Sequence, residues 1–109
     1  MSSLLNQKCQ PRSGAPLGET EVHDHLAQLS SWRLHDGAIE KSFSFKNYHE
    51  TIAFVNALAW IAHTENHHPD LGVSYNRCQV RFCTHSVGGI SMNDFICAEK
   101  TDALVALLG

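Results

Sequence analysis

An α+β domain is what this chain predicts, with a single-layer, four-stranded antiparallel sheet and three helices packed on one face, in the order α-β-β-α-β-β-α. Three observations carry that expectation. Apolar residues recur at helical spacing in three separate stretches. Strand-like runs come in two pairs, and each pair meets at a turn signal, Asp36-Gly37 and Asn76-Arg77. A length of 109 residues holds one modest core and leaves no room for a second.

Residues 1–19 carry Ser2, Ser3, Pro11, Ser13, Gly14, Pro16 and Gly18 with little periodicity, which reads as a flexible lead-in without chemistry, the domain following over 20–109. Thr20 is expected to cap the first helix, with Glu21 in its first turn and Val22, Leu26 and Leu29 as its stripe. His23 and His25 fall outside that stripe and read as solvated. After Ser30-Ser31, a strand begins at Trp32-Arg33-Leu34 and turns at Asp36-Gly37, where glycine tolerates positive φ. On the return strand, Ile39, the stem of Lys41, Phe43 and Phe45 share one face, while Glu40, Ser42 and Ser44 take a polar face.

Asn47 and Glu50 have capping-box spacing and open a long helix, expected from Tyr48 to Thr64. Its stripe is Tyr48, Ile52, Val55, Leu58, Ala59 and Ala62, widened by Phe54, Trp60 and Ile61. Pro69 disfavours helical geometry at His68, so His67 and His68 fall at the helix's end. Two further strands are expected from Leu71 to Tyr75 and from Cys78 to Thr84, with Asn76 in left-handed geometry between them. Val80, Phe82 and Thr84 then share a face, and Arg81, Cys83 and His85 take the other. Gly88-Gly89 breaks the chain. Ser91 and Asp94 repeat the capping spacing and open a last helix through Phe95, Ala98, Leu104 and Leu108.

The net charge of -3 offers no basic field for a phosphate backbone, so direct nucleic-acid binding is not expected. No apolar run approaches a membrane span, and no signal-peptide core is visible at the start. Four cysteines without CxxC spacing read as reduced thiols of a cytoplasmic protein.

Eight histidines in this length are the compositional pointer to chemistry, because imidazole changes charge near neutrality. His63, His67, His68 and His85 lie in one stretch, and His67 and His85 each end an element beside a turn. Two imidazoles facing one cavity divide acid and base work without a cofactor. The residues leave alternatives open. His67 suits a cap on the last helical carbonyls, and His85 suits a satisfied polar role. Asp94 in a first turn is explained by about 0.3–1 kcal/mol of dipole stabilisation. His63 and His67, four apart, suit a zinc site with His68 or His85 as third ligand, although Glu65 is not placed as in HExxH and Pro69 turns the chain at once. A Cys83–His85 nucleophile lacks any argument for a lowered thiol pKa.

His63, then three positions, His67-His68-Pro69, then five, Tyr75, then nine, His85, then eight, Asp94: this pattern resembles the signature of the pterin-4α-carbinolamine dehydratases. Trp32, Phe43-Ser44-Phe45, Asn76, Thr84 and Gly88-Gly89-Ile90-Ser91 extend the resemblance from Thr20 to Leu108. It implies a cofactor-free dehydration of 4a-hydroxytetrahydropterin, left by an aromatic amino acid hydroxylase, to quinonoid dihydropterin. It further implies a catalytic set of His67, His68, His85 and Asp94, with His67 and His85 as acid and base, His68 orienting the pterin, and Asp94 supporting the site. Asn66, Cys83, Thr84 and Ser86 would join the three histidines in contacting the heterocycle. At His63 family members commonly carry Glu, and an imidazole does not supply the same negative charge, so no role is assigned there. A homodimer or homotetramer is expected from the wide helix surfaces and the small core. Some relatives also serve as dimerisation partners of a transcription factor, which makes an interaction protein on the same fold the alternative.

Overall fold

The computed structural model describes residues 4–108. Seven main elements follow in the expected order: α1 (Glu19–Leu26), β1 (Arg33–His35), β2 (Ala38–Ser44), α2 (Tyr48–Glu65), β3 (Asp70–Val73), β4 (Arg77–Phe82) and α3 (Met92–Leu108). Short 3-10 turns occupy Leu4–Asn6 and His85–Val87. The sheet is antiparallel throughout, with strand order β1-β2-β4-β3, so the two central strands come from different hairpins.

Alternation places Ile39 and Phe43 of β2 and Cys78, Val80 and Phe82 of β4 on the covered face. All three helices meet them in one core, through Val22 of α1, Phe54 and Leu58 of α2, and Phe95, Cys97 and Ala98 of α3. Phe54 is wholly buried, its ring centroid 5.2 Å from that of Phe43 and 5.0 Å from that of Phe45. Burial of one such side chain stabilises the fold by roughly 1.5–3 kcal/mol. Asp36 and Gly37 both have positive φ, 49° and 77°, as a two-residue hairpin turn requires.

Several local expectations are corrected. Gly18, not Thr20, is the N-cap of α1, with Glu21 Oε1 accepting the Gly18 N–H at 3.3 Å. His25 is half-buried against Phe95, with ring centroids 5.0 Å apart. On the polar face of β2, Glu40 is buried, because Arg33 and Arg81 from the strands on either side both bond its carboxylate. The buried stripe of α2 runs Thr51, Phe54, Leu58 and Glu65, while Tyr48 and Trp60 are exposed. Thr51 is tolerated inside because its hydroxyl lies 2.9 Å from the carbonyls of both Asn47 and Tyr75. Asn76 does not take a positive φ; its carbonyl accepts the Phe45 N–H at 2.8 Å, and the β3–β4 turn closes between Ser74 and Arg77.

Candidate active site

The end of α2 sets the first histidines. Asn66 takes the left-handed conformation, φ 52°, and two bonds close the helix: Asn66 N–H to His63 carbonyl at 3.3 Å and His67 N–H to Ala62 carbonyl at 3.1 Å. This Schellman pairing satisfies carbonyls that the helix leaves open. The backbone of His67 therefore does the capping, and its imidazole is released for other work.

That imidazole reaches α3, where His67 Nε2 lies 2.6 Å from Asp94 Oδ1. Its ring stacks on Phe82 at the end of β4, centroids 6.0 Å apart and planes 13° from parallel. Asp94 is wholly buried, and its second oxygen, Oδ2, accepts Thr84 Oγ1–H at 2.8 Å and Ser91 N–H at 2.9 Å. Since Thr84 has one hydroxyl hydrogen and gives it to Asp94, Ser91 Oγ donates in turn to Thr84 Oγ1 at 2.7 Å, and Asn93 N–H donates to Ser91 Oγ at 3.2 Å. Asp94 thus closes the first turn of α3 and fixes His67 at once. The two explanations of this acid are one structure.

After β4, Thr84 and Gly89 pair across a small loop, with Thr84 N–H to Gly89 carbonyl at 2.7 Å, and the His85–Val87 turn sits at its tip. Gly88 closes that turn with φ 70°. At Gly89 a Cβ would stand 2.9 Å from Cβ of Pro16, so the lead-in's approach requires glycine there. His85 and Ser86 are exposed at the loop tip.

These elements enclose a cavity of about 250 Å³ lined by Asn66, His67, His68, Cys83, Thr84, His85 and Ser86, every residue expected to contact the ligand. Asp94 lies behind His67. His63 is not brought in: it is exposed on the helix, its ring 5.8 Å from that of Trp60. The His63, His67, His85 donor set is therefore not assembled, and among the described residues no group of three or more His, Cys, Asp or Glu is arranged to hold a metal ion. Burial, with the charges of Asp94 and Asp70, pushes the Cys83 thiol up, against nucleophilic use of that residue.

The sequence model of the family described as Pterin 4 alpha carbinolamine dehydratase matches residues 15–104. The chain belongs to the pterin-4α-carbinolamine dehydratase family. A relative from Nitrosospira multiformis, named "Putative pterin-4-alpha-carbinolamine dehydratase", is 51% identical over 95% of this chain and 94% of its own. One of the same name from Stenotrophomonas maltophilia is 55% identical over 96% and 94%. The crystal structure of a transcriptional coactivator/pterin dehydratase from Brucella melitensis superposes with a TM-score of 0.78 at 34% identity, covering 82% of this chain and 97% of that one.

Within this dehydratase family frame, the cavity has a wall that the sequence reading did not find: Cys9, Gln10, Pro11 and Arg12 of the lead-in, with Glu65 and Asn93 beneath. Asn93, beside Asp94 in the first turn of α3, was the one visible hint. No helix of the described residues is long and apolar enough to cross a membrane.

Proposed function

We propose that the chain dehydrates 4a-hydroxytetrahydropterin to quinonoid dihydropterin by histidine acid/base catalysis. The observation that carries the reading is the His67–Asp94 pair on the wall of a cavity that also receives His68 and His85. Hydroxide leaves poorly, so the C4a–O bond breaks as a general acid delivers a proton to that oxygen, and a base takes a ring N–H proton as the C=N bond forms. One water and one quinonoid ring result, with the protons balanced between the two histidines.

Asp94 Oδ2 already accepts two hydrogens, and with Oδ1 also accepting, Nε2 of His67 holds its hydrogen. Nδ1 is then the atom that exchanges a proton with the ligand. His85, exposed at a loop tip, is the partner for the opposite transfer, and His68 orients the heterocycle. Asn66, Cys83, Thr84 and Ser86 complete the contacts, and no cofactor enters.

The test is dehydration of enzymatically generated 4a-hydroxytetrahydropterin. Wild type should accelerate it, and His67→Ala and His85→Ala should each lose roughly 100-fold or more. No acceleration by wild type overturns the assignment. A second reading has one specific support, the Brucella protein, which is described as a transcriptional coactivator as well as a pterin dehydratase. An interaction protein would form a heteromeric complex that survives loss of both His67 and His85, and capture with that double variant separates it from catalysis.

A further inference from the structure

The lead-in is tied over the cavity by two buried polar side chains, each a near neighbour of the His67–Asp94 pair. Glu65, two residues before His67, accepts Cys9 N–H at 2.8 Å through Oε1 and Lys8 Nζ at 2.9 Å through Oε2. Asn93, adjacent to Asp94, donates from Nδ2 to the Gln10 carbonyl at 2.7 Å, and its Oδ1 accepts Gln10 N–H at 3.1 Å and Arg12 Nε–H at 3.0 Å. Both residues are only 6% exposed, a placement favoured because their bonds are satisfied.

The bonds to Lys8, Cys9 and Gln10 do not involve the side chain at position 12. Arginine is different because it lines the cavity and is half-buried, and among the described residues Nε is its only nitrogen with a protein acceptor. Nη1 and Nη2 keep four N–H groups in a rigid planar fork, on a residue that lines the same cavity as His67, His68 and His85. A guanidinium held at one nitrogen loses little further freedom when its other two engage a ligand.

We infer that Arg12 is a specificity-determining residue that donates from Nη1 and Nη2 to oxygen atoms of the bound substrate, with Asn93 as its positioning residue. This rests on the dehydratase reading above. The 4a-hydroxytetrahydropterin offers such oxygens in three places: the C4 carbonyl, the C4a hydroxyl and the hydroxyls of a C6 side chain.

Steady-state rates of the full chain and its Arg12→Ala variant decide the matter, measured on two 4a-hydroxytetrahydropterins, one with a dihydroxypropyl group at C6 and one with methyl. KM should rise roughly tenfold while kcat stays within about threefold, and guanidinium ion added to Arg12→Ala should recover KM. A rise confined to the dihydroxypropyl substrate assigns the contact to the side chain, and a rise shared by both assigns it to a ring oxygen, the C4 carbonyl or the C4a hydroxyl; either supports the inference. An unchanged KM on both substrates overturns it, as does a rise that guanidinium fails to reverse, which marks a loosened strap. Wild type that accelerates neither dehydration removes the dehydratase reading and the role of Arg12 with it, whereas an active wild type matched by Arg12→Ala removes only the latter.

Discussion

His67 Nε2 and Asp94 Oδ1 stand 2.6 Å apart across the gap between the end of α2 and the start of α3, and Asp94 is sealed from solvent behind the pair. An imidazole is thereby anchored to the cap of another helix, so its orientation is set by the fold and not by a loop. Asp94→Asn keeps the shape but removes the charge and introduces an NH2 group among donors. On the proposed function, kcat should fall roughly 10- to 100-fold. Asp94→Ala leaves Thr84, Ser91 and His67 without their acceptor and should cost about 2–4 kcal/mol of stability, more than Asp94→Asn. Dehydration rates and urea unfolding of the two variants check the split; equal stability of both would separate Asp94 from the cap.

Glu40 offers a pH signature away from the cavity. Burial by itself raises its pKa, but hydrogen bonds and charge from Arg33, joined by Arg81, carry it below the ordinary carboxylate range. A carboxyl with a lowered folded pKa binds fewer protons folded than unfolded. Its contribution is therefore full above the unfolded value, about 4.3, and is lost as pH falls through the folded one. Arg33 is 69% exposed, so solvent screens much of its share. Glu40→Gln should lose about 1–2 kcal/mol at pH 7 and lose less than wild type on acidification. Urea midpoints from pH 7 to pH 3 measure this, and parallel curves would contradict it.

The order of elements was legible because it rests on apolar periodicity and turn chemistry, as at Asp36-Gly37. What escaped was held by polar bonds. Thr51 and Glu65 lie inside α2's packed face, yet an apolar count passes over them and promotes Tyr48 and Trp60, which face solvent. Asn66, not Pro69, ends α2, since the left-handed step precedes the proline. Motif spacing gathered His67, His68, His85 and Asp94 without any geometry. It could not show that His63, on the same helix, turns outward, or that a lead-in with no periodicity reaches the cavity through Asn93 and Glu65.

The four thiols should separate cleanly by reactivity. Cys9 Sγ lies 3.5 Å from Cys97 Sγ, and the hydrogen bond from Cys97 lowers the Cys9 pKa against burial and the charge of Glu65. The same bond, with burial, pushes Cys97 up. Burial pushes Cys78 up, and burial with two carboxylates does so for Cys83. Iodoacetamide on the native protein should alkylate Cys9 several-fold faster than Cys83, with Cys78 and Cys97 protected until unfolding, roughly in step with thiolate fraction and access. Peptide mass spectrometry over time reads the order, and Cys83 reacting ahead of Cys9 would refute it.

Glu65 should govern how firmly the lead-in is held. Its burial raises the pKa, yet the Cys9 amide, the Lys8 ammonium and the nearby Lys100 together bring it below the usual range. The tether is accordingly strongest above the unfolded carboxyl pKa and weakens as pH falls through the folded value. Glu65→Gln retains an oxygen for the Cys9 N–H but forfeits the ion pair with Lys8, which is 62% exposed and so of small worth. Glu65→Ala forfeits both and leaves the amide facing a vacancy. Hydrogen exchange at the Cys9 amide should therefore accelerate only about two- to fivefold in Glu65→Gln and at least tenfold in Glu65→Ala, the latter equivalent to about 1.4 kcal/mol of local opening. Exchange in Glu65→Ala at the wild-type rate would mean that Asn93 alone secures the strap.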